Sequence, residues 1–255
     1  MYSKELSSPN NILGIEYLKS LKKYNSSITP YNIPRFEVHH NSNDISNNIA
    51  SATAIRNLIK NKQFDLLKDV VPENTYKILM DNIKNSNIIT DLSIFEKEII
   101  YTLRKLSIEE IKNLPNVSEG LEFLIKKSAI YYNNLSDLIS NIKSKRYTTT
   151  RIQRILLYAL LGISKNDMEI SKNILPYIRV LGFNENGKKL ISEISRKNPN
   201  LKIITSVKSF VDTNNNDNLK VLLDKDIFAT NVYCLHLHDN PNGMLDFTKG
   251  FRDVP

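Results

Sequence analysis

From residue 63 to about residue 160 the chain reads as one helix after another. This run constrains the fold more than any other feature. Apolar residues recur at three- and four-residue spacing, and helices are expected near 63–69, 73–86, 91–105, 107–113, 118–131, 134–143 and 148–163. The connectors between them are short: Val71-Pro72, Asn85-Ser86-Asn87 and Leu114-Pro115-Asn116. Ser118-Glu119-Gly120-Leu121-Glu122 starts one of the helices. The centre of the chain, 63–164, is therefore expected to be a helical domain.

The flanks differ. Residues 11–23 carry Ile12, Ile15 and Leu18 on one helical face, with Asn10 as N-cap after Pro9. Residues 28–38 contain prolines and suit an edge strand or extended loop. Residues 39–48 are polar and turn-rich. A second helix opens over Ile49–Arg56, with Ser51 as N-cap or first-turn residue. Beyond 165 the pattern is mixed. Residues 177–183 read as a strand, 184–197 as a helix and 201–207 as a strand, which makes a β-α-β unit. Residues 219–230 read as a helix and 231–237 as a last strand, and the tail after 239 is expected to fray. The fold class is α/β and predominantly helical, with regions 1–62, 63–164 and 165–255.

Composition removes several classes. The only cysteine is Cys234, so neither an intramolecular disulfide nor a thiolate metal cluster is available. No apolar run reaches ~18 residues and residues 1–9 lack the apolar core of a signal peptide, so a cytoplasmic location without membrane contact is expected. Only Gly14 precedes position 120, and no glycine-rich phosphate loop is present. Lys and Arg number 35 against 27 Asp and Glu, a net charge of +8. That permits a polyanionic partner without proving one.

Three constellations could carry chemistry. Ser51-Ala52-Thr53-Ala54-Ile55-Arg56 follows a polar loop. A helix N-terminus there would offer amide donors, two hydroxyls and the Arg56 charge to a phosphate. On spacing alone the favoured reading is a capped amphipathic helix with a surface arginine. The second is Asn141–Arg154, NIKSKRYTTTRIQR, where Lys143, Lys145, Arg146, Arg151 and Arg154 surround Tyr147 with no acid among them. Cations and hydroxyls of this kind bind phosphate and sugar, and tyrosine can stack on a base. The competing reading is a solvated basic face. The third is Cys234-x-His236-x-His238-Asp239, in which residues 234, 236 and 238 would share one face on a strand. Packing is the favoured reading there, and no metal is expected. His39-His40 lies in the loop before Ser51 and reads as exposed.

Several strings together resemble the bacterial tRNA(Met) cytidine acetate ligases, a nucleotidyltransferase-like family. They are Pro9-Asn10-Asn11-Ile12-Leu13-Gly14-Ile15-Glu16-Tyr17-Leu18, Ile49–Arg56, Ser118–Glu122, Lys143-Ser144-Lys145-Arg146-Tyr147-Thr148-x-Thr150-Arg151-Ile152-Gln153-Arg154 and Pro176-Tyr177-Ile178-Arg179-Val180-Leu181-Gly182. They follow the family's order and span nearly the whole chain.

The resemblance implies an ATP-dependent ligase acting on tRNA. Such an enzyme activates acetate as acetyl-adenylate and passes the acetyl group to N4 of the wobble cytidine of elongator tRNA(Met). Asn10, Arg35, Ser51, Thr53 and Arg56 would then contact ATP, with Mg2+ accompanying the nucleotide. Lys143, Lys145, Arg146, Tyr147, Arg151 and Arg154 would contact tRNA. No catalytic residue is assigned. Family members carry a His-x-Gly-His motif ahead of the PNNILG string, and this sequence does not. The expectation is therefore the C-terminal remnant of a nucleotidyltransferase-like Rossmann domain, followed by the helical and small α/β regions. An N-terminal segment would be a further partner, without which acetate activation is not expected. The alternative is a non-catalytic tRNA-binding module.

Overall fold

In the computed structural model, residues 9–33, 45–46, 49–118, 120–213, 217–239, 242–250 and 252–253 are described. The chain divides into two units, Met1–Val71 and Pro72–Pro255.

In the first unit, helix α1 (Pro9–Lys23) opens on a proline, whose missing N–H costs nothing at a first helical position, and closes on Lys22 and Lys23. Residues 28–33 form no regular element, so this part of the edge strand or loop is loop. Strands β1 (Ile45–Ser46) and β2 (Ile49–Ala50) pair antiparallel. The helix expected over Ile49–Arg56 therefore begins later: Ile49 and Ala50 are strand, and α2 runs Ala52–Lys60 with Ser51 as N-cap. A 3-10 turn (Phe64–Leu66) leads into α3 (Leu67–Val70).

The second unit contains the helical run. It comprises α4 (Glu73–Lys84), α5 (Glu96–Lys105), α6 (Ile108–Lys112), α7 (Leu121–Tyr131), α8 (Leu135–Ile142) and α9 (Thr149–Leu160). Each of these lies within a span where the periodicity placed a helix. Their buried residues sit three and four apart: Ile99 and Leu103 on α5, Leu121, Ile125 and Ala129 on α7, Leu135, Leu138 and Ile142 on α8, and Ile152, Ile155, Leu156 and Ala159 on α9. These stripes converge in one apolar core. Full burial of each Leu or Ile side chain contributes about 1.5–3 kcal/mol.

Two cations lock this core's helices end to end. Lys126 on α7 donates to the carbonyls of Leu103 (3.2 Å), Arg104 (2.6 Å) and Leu106 at the carboxyl end of α5. Arg104 on α5 donates in return to Ala129 O (2.7 Å), Tyr132 O (3.3 Å) and the Asn133 side chain (2.6 Å) at the carboxyl end of α7.

Beyond the core come α10 (Lys165–Asn173), β3 (Ile178–Arg179), β4 (Gly182–Phe183), α11 (Glu185–Lys197), β5 (Ile203–Ile204), α12 (Val207–Thr213), α13 (Asp217–Cys234), α14 (Leu245–Thr248) and β6 (Arg252–Asp253). Ile178 pairs with Ile203 and Arg179 with Ile204, in parallel, so the expected β-α-β unit exists. Its strands are shorter than the sequence suggests. The span 177–183 divides at Val180 and Leu181, because β3 pairs with β5 while β4 pairs with β6. Val207 belongs to a helix, not to the second strand. The tail forms α14 and β6 where fraying was expected. Residues 231–234 continue α13 rather than forming a last strand, because Leu219, Leu223 and Ile227 already commit that helix to burial. A second, small core joins Ile204, Val207, Leu223 and Ile227.

Candidate nucleotide and nucleic-acid interface

In the first unit, Ser51 adopts extended backbone (φ −70°, ψ 157°) and its Oγ accepts from Ala54 N–H at 3.0 Å. The helix end is therefore fixed by its own cap. Thr53 is half-buried in the first turn, and Arg56, one turn further, is exposed. Asn10 is exposed on the first turn of α1. Arg35, His39 and His40 lie outside the described residues. Ser51, Thr53 and Arg56 thus share one capped helix end, where backbone amides and a guanidinium suit an anion.

In the second unit, the basic string forms the α8–α9 connection. Lys143 caps the carboxyl end of α8 through its own N–H to Ile139 O (2.9 Å). A tight loop follows, closed by Ser144 N–H to Tyr147 O (3.1 Å) and Tyr147 N–H to Ser144 Oγ (3.1 Å). Thr148 then caps α9, its Oγ1 accepting from Arg151 N–H. Lys143, Lys145, Arg146 and Arg154 are exposed. Tyr147 and Arg151 are half-buried.

The structure separates Arg151 from the other four cations. Its guanidinium donates to Asn116 O from Nε (3.1 Å) and Nη2 (2.7 Å), and to Ser118 Oγ (3.2 Å). It also lies 5.2 Å from the Tyr147 ring centroid, with Arg146 at 5.5 Å from the same ring. Two cations against one ring hold the tyrosine in place. Sequence reasoning did not anticipate Asn116 or Ser118. A signal existed: Asn116 closes the Leu114-Pro115-Asn116 turn with φ 64°, a left-handed conformation in which asparagine is the preferred side chain after glycine.

The Cys-His-His string does not share one strand face. Cys234 is buried, and burial pushes its thiol pKa up. His236 Nε2 lies 3.0 Å from Glu98 Oε1, and its ring meets Phe95 edge-on at 4.8 Å. The backbone N–H of His238 donates to Asn87 Oδ1. His236 is thus a packing residue. Among the described residues no helix is long and apolar enough to cross a membrane.

The predominantly helical α/β fold is that of a nucleotidyltransferase-like protein. The chain belongs to the HIGH nucleotidyl transferase family, whose model matches residues 1–245. It is 41% identical over 246 residues to the tRNA(Met) cytidine acetate ligase of Thermoanaerobacter pseudethanolicus, covering 96% of this chain and 59% of that protein. It is 42% identical over 196 residues to the ligase of the same name from Clostridium novyi, covering 75% of this chain and 48% of that protein. The fold matches the crystal structure of apo Thermotoga maritima TmcAL with a TM-score of 0.88 at 28% identity, over 98% of this chain and 62% of that one. It also matches TmcAL bound with alpha-thio ATP, with a TM-score of 0.84. The chain spans about three fifths of the length of the first of these relatives.

Proposed function

We propose that the chain serves an ATP-dependent tRNA(Met) cytidine acetate ligase, supplying its tRNA-binding surface and part of its ATP site. The observation that carries this reading is the acid-free loop of 143–148 continuing into α9. Lys143, Lys145, Arg146 and Arg154 are exposed there on a closed, capped backbone. Cations on a closed, capped backbone bind a phosphate backbone with only their side chains left to order. The similarity to ligases of that name over 96% of the chain supports the substrate.

In the reaction, an acetate oxygen attacks the α-phosphorus of ATP and pyrophosphate leaves, giving acetyl-adenylate. The N4 amino group of the wobble cytidine of elongator tRNA(Met) then attacks the acetyl carbonyl. AMP leaves and the amine loses a proton, giving N4-acetylcytidine. Both steps need charge stabilisation and positioning rather than a covalent nucleophile. Ser51, Thr53 and Arg56 are suited to the phosphates, with Asn10 and Arg35 as further ATP contacts and Mg2+ arriving on the nucleotide. Lys143, Lys145, Arg146 and Arg154, with Tyr147, hold the tRNA, while Arg151 braces the loop from behind.

The test pairs two measurements. Binding of a tRNA(Met) transcript is titrated against salt, with the parent and with Lys143, Lys145 and Arg146 changed to Ala together. Strong salt dependence in the parent, weakened in the triple variant, is expected. Unchanged affinity removes the loop from the interface. ATP- and acetate-dependent acetylation is assayed with the chain alone and with the chain joined behind the preceding part of the Thermoanaerobacter relative. Acetylation in neither, with tRNA still bound, leaves only the non-catalytic binding module.

A further inference from the structure

The string 176–182 plays no part in the interface above, yet it leads into a cleft of about 350 Å3 in the second unit. The cleft lies off the carboxyl ends of the parallel strands β3 and β5, between them and α14. Open parallel sheets take their ligands at that end. The volume falls in the ~300–1,000 Å3 range of small-molecule pockets.

Its walls combine two chemistries. Val180, Leu181 and Leu245 supply apolar surface, with Leu181 74% exposed at the rim. Set among them is an ion pair: Arg179 Nη2 donates to Asp246 Oδ1 at 2.6 Å. The Asp246 side chain is only 10% exposed. Its second oxygen, Oδ2, is buried and has no hydrogen-bond donor among the described residues. A buried carboxylate oxygen without a donor is costly, so a ligand whose N–H meets it as the Asp246 side chain turns toward the cleft gains more there than at a solvated acid. Lys249 lines the same cleft and is exposed.

The required ligand is flat enough to lie on leucines. It carries an N–H beside a lone-pair acceptor, and an anionic group within reach of a lysine. A nucleotide meets these requirements. Its base edge pairs an N–H with a neighbouring oxygen or ring nitrogen, and the edge is available only when the base is unpaired.

We propose that this cleft binds one unpaired nucleotide, its base edge against the Asp246–Arg179 pair, its face on Leu181 and Leu245, and its phosphate near Lys249. The nucleotide comes either free from solution or from an unpaired position of bound RNA. The RNA source rests on the tRNA reading above; the cleft itself does not.

The experiment follows the methyl resonances of Val180, Leu181 and Leu245 in the full chain. The chain is titrated with the four ribonucleoside 5′-monophosphates, with the corresponding unphosphorylated nucleosides, with ribose 5-phosphate, and with a tRNA(Met) transcript. Nucleoside monophosphates are expected to shift these methyls, and ribose 5-phosphate is not. Asp246→Asn replaces the acceptor with a donor and should weaken nucleotide binding about tenfold. Lys249→Ala, at an exposed site, should weaken monophosphate binding while sparing the unphosphorylated nucleoside. If thermal melting shows that Asp246→Asn is unfolded, Lys249→Ala decides. Equal shifts with ribose 5-phosphate, or none with any nucleotide, overturn the proposal. The same methyl shifts with tRNA assign the source to RNA, and shifts with mononucleotides alone assign it to free nucleotide. Failure of tRNA to bind at all overturns the tRNA reading while the mononucleotide titration still decides the cleft.

Discussion

The Arg151 guanidinium donates twice to the carbonyl of Asn116, at 3.1 and 2.7 Å, and so ties the first turn of α9 to the turn that precedes α7. A side chain that reads in the sequence as one more phosphate ligand is spent on the protein's own backbone. Removing it exposes a carbonyl that the fold had satisfied and frees the Tyr147 ring on one side. Arg151→Ala should therefore lower stability by about 1–3 kcal/mol, as expected for hydrogen bonds from a charged donor. Chemical denaturation checks this, and Arg151→Lys, which cannot form the fork, should recover only part of the loss.

Lys145 and Arg146 should behave in the opposite way. Both are exposed and neither anchors a turn. Replacing either by Ala should leave the melting temperature within experimental scatter and reduce the salt slope of tRNA binding by about 1 for each phosphate no longer neutralised. Arg146→Ala should weaken tRNA binding more than Lys145→Ala, since it also removes one of the two cations that position the Tyr147 ring. A melting temperature that falls with Lys145→Ala would mean that the loop is structural, not an interface.

The reciprocal capping of α5 and α7 gives a sharper stability test. Lys126 satisfies three carbonyls at the end of α5, and Arg104 satisfies carbonyls at the end of α7. Lys126→Met keeps the aliphatic stem and loses the donor, and should cost about 1.5–3 kcal/mol. If the two caps act as one clamp, the Lys126→Met and Arg104→Met costs will not add, and a double-mutant cycle reads the difference. Leu103→Ala provides the scale. It is fully buried between the same helices and should cost about 2–5 kcal/mol.

The sequence made the helical run legible because burial there follows a single period. Ile99 and Leu103, or Leu135, Leu138 and Ile142, face one core and nothing else. It misled where a segment meets two neighbours. Val232 and Cys234 are buried while Tyr233 and Leu235 are exposed, an alternation that imitates a strand. Yet Val232 joins the helical core of α5 to α9 within an unbroken α13. The strand over 177–183 is divided into two pairs because β6, which completes β4, lies 70 residues further on, at Gly182↔Arg252. At the candidate interface, the exposed cations were readable from composition. The inward turn of Arg151 was not, since Asn116 and Ser118 are 35 and 33 residues away in the chain.

Asp167 supplies a test in pH. It stands at the third position of α10, and its Oδ2 accepts from Ser164 N–H (2.7 Å) and Ser164 Oγ (2.8 Å), with Lys225 Nζ at 3.4 Å. Burial pushes its carboxyl pKa up, but the two Ser164 donors and the Lys225 charge outweigh burial and hold it below the ordinary aspartate value. A carboxylate whose pKa is lower in the folded state binds fewer protons there than in the unfolded chain. Its stabilisation is therefore complete above the ordinary carboxylate range and is lost as pH falls through that range and below it. Asp167→Asn keeps the shape and removes the charge. The variant should be less stable than the parent by about 1–3 kcal/mol at neutral pH, and the gap should close as the solution is acidified. Denaturation curves recorded across that range check the sign. A gap that stays constant into acid would show that Asp167 acts through packing alone, and Ser164→Ala, which removes one of the two donors, should then leave the acid limb of the parent unchanged.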